Sequence, residues 1–212
     1  MENLLTGIIG GSGRLGSLVS TLCNCQKIDL NSSLDVIDIC LDVSKADVIK
    51  EFLPLLLQAK KPLVIGSTGH SKETLHLLRQ ASSIIPVLIA PNFSKGIYLL
   101  KTALLAMGIT PTSIIETHHV HKKDKPSGTA KIIQDLYTIP PPVESIRKGE
   151  EFGTHTVIFK LPYETVQITH QAESLELFAR GAKKALFFLS KKEKGLYTMD
   201  DVYNKDNYAC KI

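Results

Sequence analysis

"GIIGGSGRLG", residues Gly7–Gly16, decides how the rest of the chain is read. The apolar run Leu4–Ile9 reads as a buried strand ending in glycines, and a helix is expected from about Arg14 to Cys25. Glycines between a strand and a helix let the backbone turn sharply and approach a phosphate, whose charge faces the N–H groups at the helix start. Gly10, Gly11, Gly13 and Gly16 are placed in that way, and Arg14 adds a cation where a pyrophosphate would lie. A glycine cluster alone says little, but one that follows an apolar strand and opens a helix is a dinucleotide fingerprint. The acid that such folds use for a ribose falls about 20 residues further on. Asp29 stands there, at the end of a second strand expected over 27–30. An acid favours a free 2′-hydroxyl and hence NADH, while the nearby Lys27 leaves NADPH open.

Outward from that loop, strands are expected over 34–41, 62–65 and 84–89, with helices over 45–60 (kinked or split at Pro54) and 71–82. Strands alternating with helices give a parallel sheet covered on both faces. Two more strands end in small or polar loops: "VIGSTGH", with Gly66, Ser67 and Thr68, and "IAPNFSKG", with Asn92 and Phe93. Loops at the carboxyl edge of such a sheet form its ligand cleft. After Asn92 the pattern changes to a helix over 96–107, an extended segment over 113–119, a helix over 130–136 and a break at Pro140–Pro142. Strands over 154–160 and 164–170 and a helix over 177–190 follow, the last carrying small residues at Ala179, Gly181, Ala182 and Ala185. The expected fold is α/β: a Rossmann-like nucleotide domain over 1–93 and 177–212, plus a smaller α+β domain over 94–176.

Composition narrows the function. The 212 residues are 43% hydrophobic with a net charge of +4, enough apolar material for a real core and too mild a charge for a nucleic-acid stripe. No apolar run reaches the ~18 residues of a membrane span, and the start "MENLLTGIIGG" lacks the basic region of a signal peptide, so a reducing cytoplasm is expected. Cys23, Cys25, Cys40 and Cys210 show no paired spacing; Cys23-Asn24-Cys25 has no second pair to complete a zinc site, and buried free thiols are expected.

The chemistry concentrates in "ETHHVHKKDKPSGTA", residues 116–130, which holds His118, His119 and His121 of the chain's 7 histidines. If 114–122 is extended, His118, Val120 and Lys122 share one face, placing a group that titrates near neutrality beside a fixed cation. Ser127 is a natural N-cap, and the amides of Gly128 and Thr129 form a seat for a carboxylate. His-His-x-His has no acidic or Cys ligand spaced to complete a metal set, so no metal is expected. With no G-x-S-x-G elbow, Ser127 does not read as a nucleophile. A dinucleotide fold joined to a carboxylate-binding acid/base loop points to hydride transfer onto a small anion. A reductase of an imine or semialdehyde, and a non-catalytic dinucleotide-binding or redox-sensing protein, are the alternatives.

"GGSGRLG", "VIGSTG", "APNFSKG", "ETHHVHKKDKPSGTA", "RKGEEFGTHTVIF" and "ITHQAESLELFARGAKKAL" together resemble the dihydrodipicolinate reductase family over nearly the whole length. The resemblance implies reduction of a heterocyclic dicarboxylate by NADH or NADPH with loss of water. It implies His118 as proton donor/acceptor and Lys122 as a second proton donor, with His119, Ser127, Gly128 and Thr129 as carboxylate ligands. Cofactor contacts carried over are Gly10, Gly11, Ser12, Gly13, Arg14, Leu15, Asp29, Gly66, Ser67, Thr68, Ala90, Pro91, Asn92 and Phe93. It further implies a homotetramer built through the sheet of the second domain, with the last helix returning to the first. The chain departs from the family pattern in its abbreviated 25–34 region, at Ser67, in "ICLDVS" around Asp42, and at Leu175, where an arginine is expected.

Overall fold

Strand β1 (Thr6–Ile9) is buried at every position, as a strand covered on both faces must be. A loop then leads into α1 (Arg14–Leu22), and the chain returns as β2 (Cys25–Lys27), parallel to β1. β3 (Ile39–Asp42), β4 (Leu63–Ile65) and β5 (Pro86–Ile89) add in turn, alternating with α2 (Ile49–Gln58) and α3 (Lys72–Ala81). The computed structural model describes residues 4–204, and through these the chain divides into two units: one runs to Phe93 and resumes at Phe178, the other is Ser94–Leu177.

In the first unit the strand order is β10-β5-β4-β3-β1-β2, all parallel, where β10 is Gly195–Thr198. α2 turns Ile49, Phe52, Leu53 and Leu56 inward, the spacing of one helical face, onto a core that includes Ile9, Cys40, Leu63, Ile65 and Leu78. Pro54 neither splits nor ends α2: it costs the helix one hydrogen bond, to the Lys50 carbonyl. Because β1 lies between β2 and β3, the connections leave it in opposite directions, and a crevice opens at the carboxyl ends of those strands. Gly10 is held at φ +82°, where a Cβ would sit 2.7 Å from the Ser44 backbone; only glycine lets the β1 and β3 loops meet so closely.

The second unit carries a mixed sheet, β7-β6-β8-β9, in which β6 (Ser113–His118) runs parallel to β7 (Val143–Arg147). β8 (Thr154–Leu161) and β9 (Glu164–Gln171) pair antiparallel. α4 (Lys95–Met107), capped by Ser94 and ended by a left-handed Gly108, supplies Ile97, Leu100 and Leu104 to a core shared with Ile114, Val157 and Phe159. α5 (Gly128–Gln134) adds Ile133. Back in the first unit, α6 (Glu176–Leu189), which begins at the boundary, buries Ala179, Gly181, Ala182 and Ala185, and α7 (Met199–Tyr203) follows β10.

Several expectations are corrected. β2 lies over 25–27 and not 27–30, and β3 begins only at Ile39, because 34–37 closes a turn from the Ile37 amide to the Leu34 carbonyl (3.1 Å). β7, β10 and α7 were not expected. Cys23 and Cys25 are half-buried, not buried as expected; Cys40 is buried, and Cys210 lies outside the described residues.

Candidate active site

In the first unit the residues expected to hold a cofactor gather at the carboxyl edge of the sheet. Gly13 caps α1 without offering a side-chain acceptor, so the first-turn amides are left to an outside partner, and Ser12, Gly13 and Arg14 are exposed around them. Leu15 is half-buried behind them. This donor set fits the pyrophosphate of a dinucleotide. Asp29 follows the end of β2 and is exposed, with its carboxylate accepting from the Asn31 amide and the Ser32 hydroxyl, both at 2.9 Å. Those bonds, Ser32 first, hold its pKa below the ordinary range. The Lys27 stem lies against Gly11, where a Cβ would come within 2.8 Å of its Cγ.

The rest of that edge divides. Thr68 and Pro91 are exposed, Gly66 and Asn92 half-buried, and Ala90 buried. Ser67 donates its hydroxyl to Asp42 and its amide to the Asp42 carbonyl (3.1 Å), and meets His70 Nε2 at 2.9 Å. Asp42, itself fully buried, also accepts from the Ser44 amide at 3.0 Å, so it ties the β3 and β4 loops together. The Phe93 ring packs on Gly66 and its carbonyl accepts from Tyr203 Oη (2.8 Å), so Phe93 closes the core beneath these loops.

In the second unit the polar cluster starts on β6. Ile114, Glu116 and His118 alternate onto the inner face, and Glu116 has no exposed surface. Several donors, Ser145 among them, converge on its carboxylate. His118 Nδ1 bonds to Oε2; Arg147 reaches Oε1 through NH2 (2.7 Å) and Oε2 through NH1 (3.0 Å); and the Ser127 amide approaches Oε1 at 3.3 Å. Burial pushes the Glu116 carboxyl up, but Arg147, Ser145 and His118 together bring it below its ordinary value. The His118 imidazole is held below the usual histidine range, chiefly by burial against the pull of Glu116, with Lys122 and Arg147 adding to the depression.

β6 stops at His118, and the chain then turns, the Lys122 amide bonding to the His119 carbonyl at 3.1 Å. The extended run expected through Lys122 is therefore absent. Lys122 acts on His118 through the loop, whose carbonyls at Lys122 and Asp124 accept from Arg147 Nε (3.2 Å) and NH2 (2.5 Å). Lys122 Nζ holds the Asp124 carboxylate at 2.8 Å, and the Gly128 amide bonds to the same carboxylate. His119 is half-buried, with its amide on the Glu151 carbonyl (3.0 Å). Thr129 is buried in the first turn of α5.

Ser127 Oγ accepts from the Ala130 amide (3.2 Å) and pairs with His155 Nε2, 3.1 Å away. Burial first, then the neighbouring His118, drive the His155 imidazole down to about 3. Its ring stands edge-on to His118, centroids 5.1 Å apart. Glu116 and His155 are cross-strand partners, and so are His155 and His170, which makes one row of ionisable groups across three strands. Ligand atoms of Glu116, His118 and His155 fall within 4.8 Å of one another, so an acidic group does stand beside these histidines, contrary to expectation. Arg147 already forks both oxygens of that acid, which makes it half of an ion pair and unsuited to a metal.

Glu116 and Arg147 are what the sequence reading missed. The signal was present: an acid alternating with Ile114 on an apolar strand must be buried, a buried carboxylate needs a cation, and Arg147 is the sole arginine between residues 94 and 177.

Comparison with known proteins places these features in context. The family descriptions "Dihydrodipicolinate reductase, N-terminus" and "Dihydrodipicolinate reductase, C-terminus" match residues 24–93 and 97–203. A 4-hydroxy-tetrahydrodipicolinate reductase of Zymomonas mobilis is 34% identical, covering 92% of this chain and 95% of that protein. One from Pseudoalteromonas atlantica is 35% identical over 95% and 84%. Among solved structures, dipicolinate-bound dihydrodipicolinate reductase from Paenisporosarcina sp. TG-14 shares the fold with a TM-score of 0.70 at 21% identity, over 93% of this chain and 98% of that one.

Proposed function

Because the chain belongs to the dihydrodipicolinate reductase family, we propose that it is a 4-hydroxy-tetrahydrodipicolinate reductase, reducing a heterocyclic dicarboxylate with loss of water in lysine and diaminopimelate synthesis. The bound nicotinamide, NADH or NADPH, supplies the hydride. Residues Gly10–Leu15, Asp29, Gly66–Thr68 and Ala90–Phe93 hold that cofactor, with Ser67 and Phe93 acting through the loops they fix. Lys122, His119 and the 127–129 turn receive the substrate carboxylates, and His118 gives the ring its proton.

The observation that carries this reading is the Asp124 carboxylate, which sits on Lys122 Nζ (2.8 Å) and the Gly128 amide. Two donors assigned to the substrate already bind a carboxylate, so their chemistry suits a carboxylate ligand. The depressed imidazole of His118 fits as well. It is neutral near pH 7 in the free chain, and a dianion placed beside it raises its proton affinity just where a proton is needed.

The reading carries with it a cytoplasmic location, and among the described residues no helix is long and apolar enough to cross a membrane. It also implies a homotetramer. The test follows loss of reduced-nicotinamide absorbance, with NADH and with NADPH, on substrate made in situ by the preceding condensation. Substrate-dependent oxidation is expected, falling about 10²–10⁴-fold in His118→Ala, and the two rates rank the cofactors. Tight nucleotide binding with no oxidation would leave a non-catalytic dinucleotide-binding protein.

A further inference from the structure

We propose that Glu116 is the positioning residue of His118, that Arg147 keeps Glu116 in place as an anion, and that His118 consequently works through Nε2. This rests on the reading of His118 as the proton-transfer group and says how that group is aimed.

An ionised carboxylate only accepts hydrogen bonds, so the bond from His118 to Glu116 Oε2 fixes the proton on Nδ1. Nε2 is then the bare nitrogen of the neutral ring, and the Nε2–H donor once the ring is charged. Its surroundings suit that use. Gly153 lies at φ +140° directly beside it, where a Cβ would come within 2.8 Å of Nε2, so any larger residue would press on the working nitrogen.

Glu116 needs Arg147 to serve in this way. A carboxylate with no exposed surface is costly to keep charged, and the two-pronged guanidinium contact at 2.7 and 3.0 Å offsets that cost. Arg147 itself is aligned by register, since it pairs with His118 across β6 and β7, and Ser145 pairs with Glu116. The same guanidinium holds the carbonyls of Lys122 and Asp124. One buried cation thus fixes both the imidazole's partner and the loop that carries the ammonium.

The groups facing His118 are Glu116 on its own strand, Arg147 on β7, His155 on β8 with His170 behind it on β9, and Lys122 on the loop. Glu116 is the one acid in this set. Without its charge, the protonated ring would face two cations and an uncharged imidazole.

Glu116→Gln keeps the shape and removes the charge. In the reductase assay it should lower kcat about 10- to 100-fold at neutral pH, with KM little changed. It should also move the His118 limb of the pH–rate profile to lower pH. Glu116→Asp should recover part of the rate and return the limb toward the wild type. A structural ion pair alone would change stability and leave the limb where it was, and an unmoved limb with kcat within about twofold would overturn the proposal. An independent arm needs no turnover: ¹⁵N chemical shifts of His118 in the full chain should report the Nδ1–H tautomer in the wild type and a mixture in Glu116→Gln. An Nε2–H tautomer in the wild type would overturn the proposal. Wild-type chain that shows the Nδ1–H tautomer but oxidises neither cofactor would count against the reductase reading while leaving the Glu116–His118 pairing intact.

Discussion

Asp124 holds, inside its own chain, the Lys122 ammonium and the Gly128 amide that an incoming carboxylate would take. An internal ligand lowers apparent affinity by the fraction of time it occupies the seat. Burial pushes the Asp124 carboxyl up, but Lys122 outweighs it and holds the group below its ordinary range, so the contact persists throughout neutral pH and loosens only in acid. Asp124→Asn should therefore lower KM for the dicarboxylate about three- to tenfold and leave kcat nearly unchanged. Steady-state kinetics, with calorimetric titration of a non-reacting dicarboxylate, measure both quantities. A raised KM would mean that Asp124 shapes the loop and does not compete with substrate. At this scale the sequence exposes the groups that carry charge through short local motifs, such as His118, Lys122 and the Ser127 cap. It points to Arg147 only indirectly, through the cation that a buried Glu116 requires, because the two lie 31 residues apart and meet only across a strand pair.

Elements were legible where their pattern is long or repeated. The alternating strands and helices of the first unit and the hairpin of β8 and β9 follow directly from apolar periodicity. β7 (VESIR) and β10 (GLYT) lack the continuous apolar runs that mark β1 and β3–β5, and both take their place from the neighbour they pair with. β6 ends at His118 although apolar and polar residues go on alternating, because the carbonyls of Lys122 and Asp124 are drawn to Arg147. β8 carries its own consequence. His155 is 3% exposed, pairs with the Ser127 hydroxyl at Nε2 and, among the described residues, has no partner for Nδ1. Its folded-state value of about 3 lies below the ordinary 6.5, so between those limits the unfolded chain binds a proton that the folded one refuses. Stability from this residue is full above pH 6.5 and is lost as pH falls toward 3, an amount on the order of 3–5 kcal/mol. Urea midpoints across that range should fall less steeply for His155→Gln than for the wild type. Parallel slopes would mean that the site opens to water before the histidine takes up its proton.

For the whole molecule, the sheet of the second unit has two unlike faces. Ile114, Val157 and Phe159 turn toward the core with the Glu116–His155–His170 row. The opposite face shows half-buried Ile115, Ile146 and Ile158 beside exposed Thr165, Gln167 and Thr169, with Thr156 and Thr169 bonded across the strands at 3.0 Å. An antiparallel sheet can leave one face to water and then carries mainly polar side chains there. Isoleucines on three neighbouring strands, diagonal to one another and set among short threonines, suit contact with another sheet. The proposed homotetramer would bring two such sheets together through symmetric contacts. Light scattering on the eluting protein should return four times the 23.3 kDa of one chain. Ile158→Lys should shift the species toward dimer or monomer while the far-ultraviolet circular dichroism stays unchanged, because residue 158 points away from the core of its own unit. A wild-type monomer would remove the tetramer. A variant that stays tetrameric would place the interface elsewhere, since a lysine buried at each copy of a sheet-to-sheet contact carries a desolvation cost that such an interface does not tolerate.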